Sequence, residues 1–293
     1  MRFRRPIRQW QVGARRAGRP FSIELGRRTW LMAILNATPD SFYAASRTPD
    51  PNTLAAAAVR AAAAGADIID LGGESTRPGA QPVAPEQERQ RLIPAIAAVR
   101  RALPGMLISA DTRHATTAAQ ALAAGADIIN DVTGLDDPDM AALIARSGCG
   151  AVLMHHRGEF ATMQRLPPLA DPLGCVRQGL AAIAGRAGAA GIDAAQVVLD
   201  PGFGFGKNLD ENLPLLAGLD ELHALGYPLL AGLSRKSFLR QSAAEAPESR
   251  LEASLAAATA AVLAGVHLLR VHDPAPARAT VAFADRLLLA SLK

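Results

Sequence analysis

Hydrogen-bonding side chains stand at the ends of short apolar runs along this sequence. The residues that end these runs are Asn36, Asp70, Asp111, Asn130, His155, Asp200, Ser234, and the pair Arg270 and His272. A single Asp or Asn in such a place is often only a helix cap or a turn residue. Caps do not explain why carboxylates, amides and cations recur at the same kind of position. If the runs are strands of one barrel, these groups meet at its C-terminal edge and form a polar site.

Three loop segments add an anion-binding signature. They are GGESTRPG at 72–79, GFGFGK at 202–207 and SRKS at 234–237. Glycine lets the backbone approach a ligand closely, and Arg and Lys donate charge-assisted hydrogen bonds to phosphate, although each segment alone could be a flexible turn. Lys236, Arg270 and His272 follow the last two runs, where barrels often bind phosphate. Buried Asp111 or Asp200 needs donors, so we expect a ligand with a flat, donor-rich head and an anionic tail.

The elements that must position these groups alternate between strand and helix. From Thr29 onward, short apolar runs alternate with longer Ala-rich segments, a pattern typical of a parallel sheet. The segment AAGADIID at 63–70 recurs as AAGADIIN at 123–130, an offset of 60 residues that matches two βα units. The strand candidates are Leu31–Asn36, Asp67–Leu71, Leu107–Asp111, Asp127–Asn130, Ala151–His155, Val197–Asp200, Leu229–Leu233 and Leu268–Val271.

This pattern predicts a single-domain α/β protein, a (β/α)₈ TIM barrel over residues 21–293. A doubly wound open sheet is the alternative, but no Gly-x-Gly-x-x-Gly follows the first strand. No apolar run approaches the roughly 20 residues that span a bilayer. Cys149 and Cys175 lack the spacing of a zinc site or a disulfide framework. We therefore expect a cytoplasmic protein without a membrane partner.

The N-terminus is strongly basic. Residues 1–28 hold nine arginines against Glu24, a local excess of +8, which leaves −4 on the rest of a chain whose net charge is +4. Such an arm can bind nucleic acid or a membrane, and Arg-rich starts also resemble transit peptides. A disordered extension, or a start codon placed too early, is the simpler interpretation. Residues 1–20 are predicted to be a disordered arm, with no nucleic-acid partner.

Five segments of the chain resemble bacterial dihydropteroate synthases. They are ILNATPDSF at 34–42, GGESTRPG at 72–79, DPGFGFGKN at 200–208, SRKS at 234–237 and RVHD at 270–273. The resemblance implies a transferase of folate synthesis and a sulfonamide target. It would join 6-hydroxymethyl-7,8-dihydropterin diphosphate to 4-aminobenzoate, giving 7,8-dihydropteroate and pyrophosphate. It also implies Mg²⁺ as cofactor and a homodimer built through the last helices, although the apolar faces of Leu251–Leu263 and Val281–Leu289 could equally be core.

The resemblance assigns a role to each matching residue. The pterin site would comprise Asp111, Asn130, Asp200 and Lys236, with Met154 lining it and Phe205 and Gly232 in the same substrate-binding set. The diphosphate site would comprise Asn36, Arg270 and His272, with Thr76 and Arg77 on the loop above it. Asn36 would also bind Mg²⁺. The aminobenzoate pocket would comprise Phe42, Pro78 and Ser237, and the catalytic set Lys236, Arg77, Arg270 and His272.

Two departures from the family pattern stand out. The first loop of the family usually continues as Asp-Ser-Phe-Ser-Asp-Gly-Gly, whereas Ala44 stands here in the place of the second acid. Asp50 is a substitute only if the loop folds differently. His156 and Phe160 replace the Met and Pro that are common after the fifth strand.

Two rival functions follow. A methyltransferase that takes a methyl group from methyltetrahydrofolate to a corrinoid would need no pyrophosphate site, and the Thr76, Arg77, Lys236, Arg270 and His272 set argues against it. A non-catalytic or slow pterin-binding relative is suggested by Ala44.

Overall fold

The structure of the chain is a computed structural model that describes residues 5–13, 21–37, 50–74, 83–240 and 246–290. Its strands are β1 Arg8–Gln11, β2 Ser22–Leu25, β3 Trp30–Asn36, β4 Ile68–Gly72, β5 Leu107–Asp111, β6 Ile128–Asp131, β7 Gly150–Met154, β8 Val197–Asp200, β9 Leu230–Ala231 and β10 Leu268–Val271. Its α-helices are α1 Pro51–Ala63, α2 Pro85–Ala102, α3 Ala115–Ala124, α4 Pro138–Ser147, α5 Pro172–Ala189, α6 Leu209–Ala217, α7 Leu251–Leu263 and α8 Pro274–Ala290.

Strands β3 to β10 form one parallel barrel, and each is followed by a helix. The strand order is β8-β7-β6-β5-β4-β3-β10-β9, and a parallel bridge between Leu199 and Leu229 joins the two ends. The predicted (β/α)₈ barrel is confirmed. All eight predicted strands are present, although β9 contains only Leu230–Ala231 of the predicted Leu229–Leu233.

Helix starts follow from local side-chain chemistry. Asp50, Asp137 and Asp171 each precede a proline and accept a backbone N–H of the first helical turn. The acid satisfies an otherwise unpaired donor, and proline at the next position needs none. Helices α3 and α4 end at Gly125 and Gly148, which have φ values of 112° and 68°. These caps fix where the helices begin or end and so bound the loops next to them.

Strands β1 and β2 form an antiparallel hairpin that closes the N-terminal end of the barrel. Trp10 and Leu25 are fully buried. They pack against the first inward-facing side chains of the barrel strands, namely Met32, Ile68, Leu107, Ile128, Val152, Val198, Leu230 and Leu268. The indole Nε1 of Trp10 donates to the carbonyl of Gln196 at 2.8 Å. The hairpin is therefore the floor of the barrel core.

The prediction of a disordered arm over residues 1–20 is wrong for residues 5–13. The buried Arg5 guanidinium lies 2.7 Å from Asp285 and 3.0 Å from the hydroxyl of Thr29. His267 Nε2 donates to the carbonyl of Pro6 at 2.9 Å. The rest of the predicted arm, residues 1–4 and 14–20, lies outside the described residues. Among the described helices, none is long and apolar enough to cross a membrane.

Candidate active site

The inward-facing side chains of the barrel are apolar next to the hairpin, and the next inward positions toward the C-terminal ends of the strands are polar. Inward side chains are two residues apart along a strand, so Ile68 is followed by Asp70, and Leu107 by Ser109 and Asp111. Asp70 and Ser109 are paired in register and fully buried. The polar layer therefore lies toward the C-terminal end of the barrel, where enzymes of this fold carry their active sites.

Arg270 of β10 is the centre of this layer. Its Nε lies 2.6 Å from Asp70 Oδ2, and its Nη2 lies 2.6 Å from Asp111 Oδ2. The amide of Asn130 donates to the same oxygen of Asp70 at 3.2 Å. The structure thus brings together three predicted site residues. It adds Asp70, which the sequence placed at a strand end without giving it a role.

Burial and charge act in opposite directions on this cluster. Burial raises the pKa of Asp111 to about 7, although the charge of Arg270 opposes the rise. Burial alone would lower the pKa of Arg270, but attraction to Asp70 and Asp111 outweighs it and raises that pKa. Arg270 therefore stays charged, while burial makes the Asp111 carboxylate easier to protonate than an exposed one. A ligand that donates hydrogen bonds to Asp111 favours its ionised form.

Asp200 and Lys236 face each other across the neighbouring part of the mouth. Asp200 Oδ1 accepts the backbone N–H of Gly202 at 2.7 Å, and burial raises the pKa of the carboxyl. The ammonium of Lys236 lies 4.2 Å from the ring centroid of Phe205. Burial and then Arg270 lower the pKa of Lys236 to about 8, with Asp200 opposing. A carboxylate, an ammonium and an aromatic ring thus surround one space, as a polar heterocycle requires.

An apolar wall completes this space. It consists of Val132, Met154, Met163 and Phe205, with Phe160 and Leu166 packed against it. Phe160 contacts both Phe205 and His156, with ring centroids 6.0 and 5.4 Å apart. Phe160 and His156, which replace the family's Pro and Met after β7, therefore lie against the wall and at its rim. Met154, which the resemblance assigns to the pterin pocket, is part of this wall.

The loops after β9 and β10 form the cationic side of the mouth. His272 is held by Ser234, whose Oγ lies 3.2 Å from its backbone N and 3.1 Å from its Nδ1. A Cβ at Gly232 would meet only Arg270 Cβ, at 3.9 Å, so the backbone here is not crowded by its neighbours. Ser237 is exposed in the same loop as Lys236.

Three residues that the sequence associated with the mouth face elsewhere. Arg235 adopts a φ of 59° and binds Asp273 at 2.6 Å, so it ties two loops together. Lys207 turns inward and donates to backbone carbonyls. The ring of His155 packs against α5, where a Cβ at Gly179 would lie 2.3 Å from it. Arg235 and Lys207 therefore support the loops that carry them.

A family comparison identifies this arrangement. The family described as "Pterin binding enzyme" matches residues 32–272, which include the whole polar layer. The chain belongs to the pterin-binding enzymes. The five-motif resemblance is thus confirmed over most of the chain.

Relatives to which this pterin-binding enzyme is similar include proteins named dihydropteroate synthase. One from Neisseria meningitidis serogroup C is 44% identical over 90% of this chain and 92% of the relative. The crystal structure of the Thermus thermophilus enzyme in complex with 4-aminobenzoate has a TM-score of 0.82 and 43% identity, covering 94% of this chain and 100% of that chain. A Mycobacterium leprae protein named inactive dihydropteroate synthase 2 is 41% identical over 87% of this chain and 88% of its own length.

Several predicted residues of this pterin-binding enzyme lie outside the described residues. They are Phe42, Ala44, Thr76, Arg77 and Pro78.

The flanks of the two loops that carry these residues are described. Asp50 accepts the N–H of Asn52 and caps α1, which gives it a structural role at the end of the first loop. Glu74 accepts the N–H of Val83 at 3.0 Å and binds Arg113, so it joins the two ends of the second loop.

Two places in the described part of this pterin-binding enzyme offer metal ligands. Asn36 presents a half-buried amide at the C-terminal end of β3. Mg²⁺ prefers oxygen ligands and is often held by one or two protein groups together with substrate phosphates and waters, so Asn36 fits such a site. Glu74, Glu88 and His114 also bring ligand atoms within 4.8 Å of one another. Within this cluster Arg113 pairs with Glu74 and His114 pairs with Oε2 of Glu88, whereas the buried Oε1 of Glu88 has no hydrogen-bond partner among the described residues.

Proposed function

We propose that this chain condenses 6-hydroxymethyl-7,8-dihydropterin diphosphate with 4-aminobenzoate, releasing pyrophosphate and forming 7,8-dihydropteroate. The observation that carries the proposal is the buried set of Asp111, Asn130 and Asp200 beside the cations Lys236 and Arg270, at the C-terminal end of a barrel. The carboxylates suit a donor-rich pterin, and the cations suit its diphosphate. The identity to dihydropteroate synthases supports the same reaction.

Pterin binding is assigned to the carboxylate side of the mouth. Asp200 Oδ1 accepts the backbone N–H of Gly202. Oδ2 is assigned to accept hydrogen bonds from the ring donors of the ligand. The wall made by Met154 and Phe205 contacts the flat faces of the heterocycle, and Lys236 donates to its acceptors. Each group then matches one part of a pterin: edge donors, edge acceptors or the π faces.

Departure of pyrophosphate is assigned to the cationic side. The C–O bond between the pterin methylene and the diphosphate breaks, and its electron pair leaves with pyrophosphate. Arg270 uses two of its five N–H donors on Asp70 and Asp111, so three remain for the leaving group. His272 and Arg77 are proposed to contribute to the same site, and Asn36 would hold Mg²⁺. Bound Mg²⁺ would offset the negative charge that develops on the leaving oxygens.

Carbon–nitrogen bond formation completes the reaction. The lone pair of the aminobenzoate amine forms a bond to the methylene carbon, and the resulting ammonium then loses one proton to pyrophosphate or solvent. Phe42, Pro78 and Ser237 are proposed to hold the aminobenzoate. The scheme requires no covalent intermediate with the protein, so catalysis rests on positioning and on stabilisation of the departing charge.

The test is product formation from dihydropterin diphosphate, radiolabelled 4-aminobenzoate and Mg²⁺. We expect labelled dihydropteroate and one pyrophosphate per product from the native chain. Lys236→Met is the matched control, because it keeps side-chain length and removes the charge. A native chain that forms no product but binds a pterin analogue would refute the catalytic proposal.

A non-catalytic pterin-binding protein is the second candidate. Ala44 in the first loop and the similarity to a relative named inactive favour it. Pterin binding with normal affinity, without turnover and without rescue by Ala44→Asp, would support this candidate.

We also propose that the chain works as a cytoplasmic homodimer. The supporting observation is the outer face of α8, where Phe283, Leu287 and Leu289 are 67%, 47% and 51% exposed. Phe283 and Leu287 are four residues apart and share a helix face. Sedimentation equilibrium should show a dimer that Phe283→Glu dissociates and that the control Val59→Glu on α1 leaves intact. A monomeric native chain would refute the dimer.

A further inference from the structure

The loop after β8, residues 201–208, is fastened by a buried ammonium that the proposed reaction does not use. Lys207 is only 2% exposed. Its Nζ donates to the carbonyls of Gly202 at 2.8 Å, Phe205 at 3.2 Å and His155 at 3.4 Å. All three protons of the ammonium are therefore used on backbone oxygens. This arrangement is a small carbonyl cage with a cation inside it.

The three carbonyls belong to two neighbouring strand ends. His155 follows β7, whereas Gly202 and Phe205 follow β8. Gly202 has a φ of 68°, and a Cβ there would lie 1.9 Å from the carbonyl oxygen of His155. The two backbones therefore touch, and the oxygens that crowd together need a shared cation. Lys207 supplies it.

The first contact of the cage connects Lys207 to Asp200 through Gly202. Gly202 donates its backbone N–H to Asp200 Oδ1 at 2.7 Å, and its carbonyl accepts from Lys207. Both polar groups of this residue are thus fixed, which sets the direction of the Asp200 carboxylate. The same carbonyl also accepts the N–H of Phe205 at 3.1 Å, so loss of the ammonium would remove one of its two hydrogen bonds and weaken the restraint on Gly202 and, through it, on Asp200.

A second contact of the cage connects Lys207 to Lys236 through Phe205. The carbonyl of Phe205 accepts from Lys207, and the ring of Phe205 lies 4.2 Å from the ammonium of Lys236. Gly204 between these contacts leaves room for the Lys236 side chain, since a Cβ would lie 3.4 Å from Lys236 Cδ. The position of Phe205 therefore decides where Lys236 rests in the mouth.

We propose that Lys207 is a positioning residue for pterin binding, acting through Gly202 on Asp200 and through Phe205 on Lys236. It touches no substrate itself, and the inference rests on the proposed pterin site. Burial lowers the pKa of Lys207 to about 7, while the charge of nearby Asp200 opposes the shift. The carbonyls stabilise the protonated form, which is the form that fills the cage.

The first test compares Lys207→Met with Arg186→Met by calorimetry with a pterin analogue. Arg186 is a matched control, because its guanidinium also binds a loop carbonyl, that of Gly134 at 2.7 Å, after β6. Lys207→Met should weaken pterin binding about tenfold to a hundredfold, the usual range for one lost charged hydrogen-bonding group. Arg186→Met should bind pterin as the native chain does. The KM for 4-aminobenzoate should change in neither variant.

Chemical rescue separates positioning from general loosening. Lys207→Ala leaves space between the three carbonyls, so ammonium chloride should restore much of its pterin affinity, while tetramethylammonium chloride, too large for the cage, should not. Lys207→Met fills the space and should resist rescue. A folded Lys207→Met with native pterin affinity, or an equal loss in Arg186→Met, would overturn the proposal.

A measurement on the native chain covers the case in which the variants do not fold. The sequence has three lysines, Lys207, Lys236 and Lys293, so ¹⁵N-lysine labelling gives three ammonium signals. We expect the Lys207 signal, assigned with Lys236→Met, to resist solvent exchange and to shift when the pterin analogue binds. An exchanging, unshifted signal would contradict the proposal. A native chain that binds no pterin would instead refute the proposed function.

Discussion

Removal of the Trp10 side chain tests whether the N-terminal hairpin is part of the barrel. Trp10 is fully buried between the hairpin and the first inward layer of the strands, and it donates to the carbonyl of Gln196. Trp10→Ala opens a cavity and leaves that buried carbonyl without its partner. Large-to-small changes of this kind cost about 3–5 kcal/mol, and a chain of this size would lose about 10 °C in its unfolding midpoint.

The assay is urea and thermal unfolding followed by circular dichroism. Gln9→Ala is the matched control, because Gln9 is exposed on the same strand, and its loss should change stability by less than about 0.5 kcal/mol. Deletion of residues 1–12 should destabilise the barrel at least as much as Trp10→Ala, whereas deletion of residues 1–4 leaves the hairpin whole. If Trp10→Ala and Gln9→Ala unfold at the same urea concentration as the native chain, the hairpin is not the floor of the core.

Three further predictions concern the site and the pH dependence of stability. Asp200→Ala should cost about 3 kcal/mol in affinity for a pterin analogue, more than a hundredfold by calorimetry, because it strands the donors of the ligand; undiminished affinity in a folded variant would remove Asp200 from the site. Burial lowers the pKa of His267 from 6.5 to about 3, and its neutral ring accepts from Leu229 and donates to Pro6. Its contribution to stability should therefore be complete above pH 6.5 and decline as the pH falls toward 3, and His267→Gln should flatten the unfolding free energy over that interval. Ala44→Asp should raise kcat by about tenfold if a carboxylate steadies the cationic pterin in the transition state; single-turnover rates equal to those of the native chain would contradict this.

The sequence alone determined the barrel and which polar side chains share its C-terminal end. Strand alternation places every second side chain inward, so the ends of the apolar runs at Asp111, Asn130, Asp200 and Arg270 had to meet once the strands closed into a cylinder. Short runs, Gly stops and Asp-Pro helix starts are local signals that survive in any tertiary context.

Composition misled the interpretation of the N-terminus. Its arginines suggested a solvated arm, but the alternating pattern of Trp10 and Val12 with Gln9 and Gln11 is that of a half-buried strand. A local excess of charge describes a segment as a whole and does not show which of its side chains are buried. Burial depends on which side chains share one face and on whether a complementary apolar surface exists, here the basal layer of the barrel.

Tertiary structure alone decided what each charged group does. Lys207 and Arg235 have the residue types of phosphate ligands, yet one fills a cage of carbonyls and the other binds Asp273. Asp70 looks like a turn residue in the sequence and is the partner that holds Arg270. A charged side chain takes the nearest group that can replace its lost hydration, and which group is nearest is settled by strands far apart in the chain and side by side in the barrel.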